Sequence, residues 1–218
     1  MNKPAFHEIE TWVFDLDHTL YPPSVNLFAQ IEVKMTDWVM RVAGVDRPRA
    51  DHLRQHYWEK YGTTLAGLMQ EHQADPGPYL HDVHDIDFSA LSPDPHLAHL
   101  IDTLPGRKIV YTNGCVPYAK NVLQGRGLSG AFDAIYGVED ADFLPKPRAD
   151  AFDLVFAKDG LTPARAIMFE DDPRNLVVPD RLGMRTVLVA DHEMTAGHID
   201  HHTADLTAFL AHHNVGAT

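Results

Sequence analysis

The chain reads as an α/β protein, a doubly wound parallel sheet interrupted by an all-α insert. Three features carry that reading. Short apolar runs such as Trp12-Val13-Phe14, Ile109-Val110-Tyr111 and Ile167-Met168-Phe169 have the length and the β-branched and aromatic content of strands covered on both faces. From about residue 95 such runs alternate with segments of helical spacing, as in sheets whose crossovers are helices. Between the first strand and residue 94, only helical spacing recurs.

Taken in order, the first strand covers Trp12-Val13-Phe14 and stops abruptly in charge at Asp15. Tyr21-Pro22-Pro23 breaks the chain, after which Leu27, Ile31, Met35, Trp38 and Val39 recur at helical spacing and predict a helix over 25–42. A second helix is expected over 51–61, with Leu53, Tyr57 and Trp58 on one side, and a third over 63–73, ended by Pro76-Gly77-Pro78. Residues 81–91 mix His, Asp and apolar residues and predict a short helix and a connection. The later alternation predicts helices over 96–103, 117–126 and 149–158, a helix or turn over 175–182, and strands over 108–111, 134–136, 166–169 and 185–189. A terminal helix follows, with Leu206, Phe209 and Leu210 on its buried side. Two units are therefore expected: a core of residues 1–22 and 95–218, and a helical domain of residues 23–94, placed as a lid that excludes water from the carboxyl edge of the sheet.

Composition narrows the function classes. With 44% hydrophobic and 22% charged residues the 218-residue chain is an ordinary globular protein, and no run approaches the roughly 18 to 20 apolar residues of a membrane span. The first residues lack the apolar stretch of a signal peptide, and a single cysteine, Cys115, forbids an intrachain disulfide, so a cytoplasmic location is expected. A formal net charge of −13 argues against nucleic acid polymers and anionic membranes as partners. A phosphate substrate would need local compensation, which a bound cation and a placed lysine can supply. Oligomeric state is not encoded in any recognisable way.

The chemistry sits where strands end, the place where open α/β sheets bind ligands. Asp15 and Asp17 lie two apart after the first strand. They can share a divalent cation, or divide into a nucleophile and a general acid/base. Thr112-Asn113-Gly114 ends the second strand with a hydroxyl and a turn offering backbone N–H groups. Lys146 stands between two prolines, a rigid mount for a side chain that must point at something. Glu170-Asp171-Asp172 puts three acids after a hydrophobic strand, where they repel one another unless a cation lies among them.

Together, Asp15-Leu16-Asp17-His18-Thr19-Leu20, Thr112-Asn113-Gly114, Lys146 and Glu170-Asp171-Asp172 resemble, in order and position, the four motifs of the haloacid dehalogenase-like superfamily, with 23–94 in the place of its first-type helical cap. Leu20-Tyr21-Pro22, Tyr61-Gly62-Thr63-Thr64-Leu65 and His198-Ile199-Asp200-His201 are similar to the pyrimidine 5′-nucleotidase branch, although Ala66 stands where that branch often has a basic residue. The resemblance implies a Mg²⁺-dependent phosphomonoesterase acting through an aspartyl-phosphate, its partner a small phosphate monoester such as a nucleoside monophosphate. It implies Asp15 as nucleophile and Asp17 as acid and then base, an acid that superfamily dehalogenases lack. Mg²⁺ would be held by Asp15, Asp171 and the Asp17 backbone carbonyl, with Glu170 or Asp172 further out. Thr112, Asn113, Gly114 and Lys146 would hold the phosphoryl group together with Leu16, and Tyr61, Thr63 and Thr64 would face the nucleoside. It further implies that Thr19 fixes Asp17 through a local hydrogen bond and that Asn175 orients the acidic loop. Within the same fold, a phosphatase of phosphoglycolate or of a sugar phosphate, a β-phosphoglucomutase-like mutase and a non-enzymatic binding protein are the alternatives.

Other features take plainer readings. Of fifteen histidines, those at 198, 201, 202, 212 and 213 fit no tetrahedral zinc spacing. Cys115 has no evident base beside it, and Trp38 and Trp58 are expected in the core of the helical insert.

Overall fold

In the computed structural model, which describes residues 3–192 and 194–213, the buried apolar runs do form strands. β1 (Thr11–Phe14), β2 (Arg107–Tyr111), β3 (Ala134–Tyr136), β4 (Ala166–Glu170), β5 (Arg185–Val189) and β6 (His201–Thr203) make one parallel sheet of order β3-β2-β1-β4-β5-β6. Strand order reverses beside β1, which pairs with β2 on one side and β4 on the other. Such a reversal opens the crevice in which α/β sheets bind ligands. Register completes the arrangement. Phe14 lies level with Val110 and Phe169, and β1 ends there while β2 and β4 each run one residue further, to Tyr111 and Glu170, so the three chain ends leave the sheet within one residue of each other.

Alternating side chains divide the core between the two faces of the sheet. Phe14, Val110, Ile167 and Phe169 belong to one apolar cluster, Val13, Ile109 and Met168 to the other. Phe14 and Phe169 stack with ring centroids 4.7 Å apart, which fixes the two strands whose ends carry the acids.

The insert holds α1 (Leu27–Ala43), α2 (Arg47–Tyr61), α3 (Thr64–His72) and α4 (Pro76–Val83). Leu27, Ile31, Val39 and Tyr57 are fully buried there, as their spacing predicts. Two expectations change. α2 begins at Arg47, capped by Asp46, whose side chain accepts from the Arg49 N–H. Pro76-Gly77-Pro78 starts a helix instead of ending one, because Asp75 caps it and a proline in the first turn gives up no hydrogen bond.

After the insert come α5 (Pro95–Thr103), α6 (Val116–Gly125), α7 (Ala149–Asp159), α8 (Val177–Arg181) and α9 (Leu206–His213). Arg126 ties the insert's return to the loop after β1. Its buried guanidinium donates to the Leu20 and Ser92 carbonyls and to Asp94 at 3.1, 2.5 and 2.9 Å. β6 escapes sequence reading, because His201-His202-Thr203 is a half-buried edge strand without an apolar run. The tail histidines serve this edge: His198 contacts the Pro173 carbonyl at 3.0 Å and His202 the Ala190 carbonyl at 2.8 Å. No helix among the described residues is long and apolar enough to cross a membrane.

The seam between α2 and α3 gives a test of packing. A Cβ added at Gly67 would lie 2.3 Å from Tyr57 Cγ, and Tyr57 is fully buried. Helix propensity favours alanine by about 1 kcal/mol, whereas overpacking costs about 1–3 kcal/mol. The collision wins, so Gly67→Ala is expected to lower the urea midpoint by the equivalent of about 1–2 kcal/mol. A raised midpoint would refute the packing described.

Candidate active site

Asp15 is fixed before its side chain does anything. Its N–H donates to the Phe169 carbonyl at 2.9 Å, which extends the ladder between β1 and β4 by one residue and points the chain end into the crevice. The chain then turns at His18, whose φ is 61°, and the Leu20 N–H closes the loop on the Leu16 carbonyl. The Leu16 side chain packs in the core, fully buried, so any role in binding falls to its backbone.

Lys146 joins the other loops to this one. Its Nζ donates to Asp15 Oδ1 and Glu170 Oε1, each at 2.7 Å, and to the Tyr111 carbonyl at 3.0 Å, and only 1% of the residue is exposed. The Asn113 side chain holds the lysine's backbone from both sides, accepting from its N–H at 2.8 Å and donating to its carbonyl at 3.1 Å. Thr112 Oγ1 accepts the Gly114 N–H at 2.9 Å, so that N–H is committed to the turn and not presented to a ligand as the sequence had led us to expect. Asn175 donates to Glu170 Oε1 at 2.6 Å, which orients the acid as anticipated. Asp172 instead caps the following turn and pairs with Arg174 at 2.6 Å.

Three carboxylates converge here. Asp15, Glu170 and Asp171 each place an oxygen within 4.8 Å of the others. Burial pushes the Asp15 and Glu170 carboxyls above their ordinary range, and neighbouring acids add to the rise while Lys146 opposes it. Burial works against the Lys146 ammonium, but Asp15 and Glu170 outweigh it and hold the lysine charged. Three hard oxygen donors with one ammonium among them are the surroundings that a divalent cation such as Mg²⁺ fits. Glu170 thus belongs to the cluster as closely as Asp171 does, whereas the side chain of Asp17 does not.

Asp17 is directed elsewhere. Its Oδ1 accepts from the hydroxyls of Tyr21 and Tyr118, each at 2.5 Å. Burial raises its pKa, against the pull of both tyrosine hydrogen bonds. Thr19, expected to hold this carboxylate, has a buried hydroxyl with no partner among the described residues. Tyr118 was missed in the sequence because a lone tyrosine carries no signature. Its place in the first turn of α6, directly after the Thr112 loop, is the clue that was available.

A cavity of about 1140 Å³ separates these residues from the insert. Thr63 and Thr64 line it, Thr63 also capping α3. Tyr61 does not: its hydroxyl turns to Glu71 on α3, 2.8 Å away, an ion-and-hydroxyl pairing that needs no ligand. Trp58 departs from expectation in the other direction. It is 46% exposed at the cavity wall, with the Arg174 guanidinium 3.5 Å from its ring centre, while Trp38 packs on Tyr79 inside the insert. Cys115 does have a base beside it, His84 Nδ1 at 3.2 Å. Burial nevertheless raises the thiol and lowers the imidazole to about 4, so the pair is neutral and not a reactive thiolate.

Residues 9–177 match the profile of the haloacid dehalogenase-like hydrolases, a span that contains every site residue named above. Phosphate metabolism protein 8 of Saccharomyces cerevisiae is 23% identical over 209 residues, covering 87% of this chain, which spans 65% of the length of that relative. Among solved structures, CbbY from Rhodobacter sphaeroides in complex with phosphate is 19% identical with a TM-score of 0.62, over 91% of this chain and 95% of that one. YfnB from Bacillus subtilis bound to magnesium is 16% identical with a TM-score of 0.59, over 95% and 99% of the two chains.

The buried cluster makes stability depend on Lys146 and on pH. Lys146→Met leaves Asp15 and Glu170 buried without their ammonium, which costs about 3–5 kcal/mol when the carboxylates are charged. Their folded pKa values, already raised, rise further. Between about pH 4 and those values the folded state binds more protons than the unfolded chain, so stability falls as pH increases. Urea denaturation in EDTA is expected to show the larger deficit at pH 8 and a smaller one at pH 5; equal deficits would contradict this electrostatic picture.

Proposed function

The chain belongs to the haloacid dehalogenase-like hydrolases, and on that basis we propose that it is a Mg²⁺-dependent phosphomonoesterase acting on pyrimidine nucleoside 5′-monophosphates. One juxtaposition carries the reading: Asp15, gripped by buried Lys146, lies beside Asp171 and two residues from Asp17, a carboxyl kept protonatable by burial.

Asp15 attacks phosphorus in line, and Asp17 protonates the departing ester oxygen. Asp17 then takes a proton from the water that hydrolyses the aspartyl-phosphate. Lys146 fixes the Asp15 carboxylate and adds positive charge beside the phosphoryl group. Because Thr112 Oγ1 accepts the Gly114 N–H, its own hydrogen is left to donate to a phosphoryl oxygen, and the Asn113 N–H offers a second donor. Mg²⁺, held by Asp15, Asp171 and the Asp17 carbonyl with Glu170 close by, would neutralise the charge of the phosphate and the acids around it.

Residues 23–94 act as the cap of a core formed by 1–22 and 95–218, enclosing the substrate and excluding water. The nucleoside part of the proposal is supported by the Leu20-Tyr21-Pro22 and Thr63-Thr64-Leu65 passages and by a cavity of about 1140 Å³, room enough for a nucleotide.

The test is hydrolysis of p-nitrophenyl phosphate with and without EDTA, followed by a substrate panel. EDTA-sensitive turnover is expected, with a loss of about 10³-fold or more in Asp15→Asn, and UMP and CMP hydrolysed faster than AMP, phosphoglycolate or sugar phosphates. Full turnover by Asp15→Asn defeats the enzyme mechanism. Preference for phosphoglycolate or a sugar phosphate defeats the nucleotide assignment alone.

A further inference from the structure

Asp17 is held by two phenols that arrive from different parts of the fold. Tyr21 lies on the loop after β1 and Tyr118 in the first turn of α6, each only 1% exposed. Their hydroxyl oxygens are 3.3 Å apart, and both end on the same atom, Asp17 Oδ1, at 2.5 Å. The other side of Tyr118 is closed by the insert, where the His84 ring stacks on it with centroids 4.3 Å apart and planes 14° from parallel.

A buried phenol needs a hydrogen-bond partner, and that alone explains one contact to one acceptor. It does not explain why two phenols choose one oxygen of one carboxyl group. Two donors occupy both lone pairs of Oδ1, so a proton carried by this group must sit on Oδ2. Proton transfer also demands that the acid stay within hydrogen-bond reach of the leaving oxygen. A carboxyl group hinged at a loop cannot guarantee this by itself, whereas one gripped through Oδ1 from two sides can.

We propose that Tyr21 and Tyr118 are positioning residues for proton transfer, fixing Asp17 through Oδ1 so that Oδ2 meets the leaving group. The proposal rests on the reading of Asp17 as general acid and base. As the Asp15 oxygen bonds to phosphorus, the P–O ester bond breaks and its electron pair goes to the ester oxygen. That oxygen takes the proton from Asp17 Oδ2 and leaves as the alcohol. Water then bonds to phosphorus and gives a proton to Asp17 Oδ2, while the bond from phosphorus to Asp15 breaks. Phosphate is released and both carboxyl groups return to their starting states.

The leaving group separates this role from a structural one. Dinitrophenolate departs without a proton, whereas phenol and alkyl alcohols need one. The quantity to follow is kcat/KM, which ends at the first phosphoryl transfer and so is blind to the later hydrolysis. Across dinitrophenyl, nitrophenyl, phenyl and methyl phosphates, Tyr21→Phe and Tyr118→Phe should each lose about 10-fold more on the unactivated esters than on dinitrophenyl phosphate. Asp17→Asn should show the same trend more steeply. Equal losses across the series, no loss at all, or failure of both variants to fold would assign the tyrosines to the core and overturn the proposal. Wild-type protein without turnover, or Asp15→Asn with full turnover, would instead defeat the phosphatase reading itself. A uniform loss in Asp17→Asn would remove the acid that the tyrosines are proposed to position.

Discussion

The site depends on one buried ammonium. Lys146 Nζ lies between Asp15 and Glu170, at 2.7 Å from each, almost without access to water. Removing such charges from solvent costs several kcal/mol per ion, so the contact persists only where geometry is good and the remaining hydrogen-bonding groups are satisfied. The structure meets both conditions. The lysine's third bond goes to the Tyr111 carbonyl at the end of β2, and its backbone is clasped by Asn113. Glu170 receives Asn175 and the Asp172 N–H as well. One cation thus ties together the ends of β1, β2 and β4, three segments separated by many tens of residues.

The sheet makes that convergence possible. A parallel arrangement brings the carboxyl ends of β1, β2 and β4 to one edge, and the order reversal beside β1 leaves that edge open between diverging connections. Register then decides which residues emerge together. Phe14, Val110 and Phe169 form the row at which β1 ends, gathered in one apolar cluster, and Asp15, Thr112 and Glu170 follow within two residues of it. The apolar core therefore fixes the placement of the acids, and residues of α1 to α4 line the cavity beside them.

What the sequence revealed and what it hid follow from the same distinction. Asp15 and the acids from Glu170 onward were legible because charge at the end of a buried apolar run is costly unless something uses it, and Lys146 because two prolines fix the backbone on either side of it. The first helix of the insert was legible from apolar spacing, and the second and third in outline. Thr19 and Tyr61 misled because a polar side chain's partner is set by tertiary packing: Thr19 ends buried with no partner among the described residues, and Tyr61 turns to Glu71. Tyr118 was invisible for the converse reason, since it contacts Asp17 from 101 positions away. Pro76 and β6 show a third limit. A proline stops one helix or starts another according to the residue before it, here Asp75, and an edge strand half open to solvent needs no apolar run.

The acidity of the chain and the chemistry of its cavity can be reconciled locally. A net charge of −13 repels a phosphate at long range, but that repulsion is screened over about 8–10 Å at ordinary ionic strength. Inside the cavity the sum is different in kind. Asp15, Glu170 and Asp171 face one ammonium, and an additional anion cannot enter such surroundings uncompensated. Two responses are available to the protein: protonating the carboxyl groups, or taking up a cation with affinity for oxygen. The first would cost Asp15 the nucleophilic form that the proposed mechanism requires. On that proposal the second would leave this form intact and offset the charge of an incoming phosphate, so the surplus of acids that makes the site look hostile to phosphate would be what lets a divalent ion bring phosphate in.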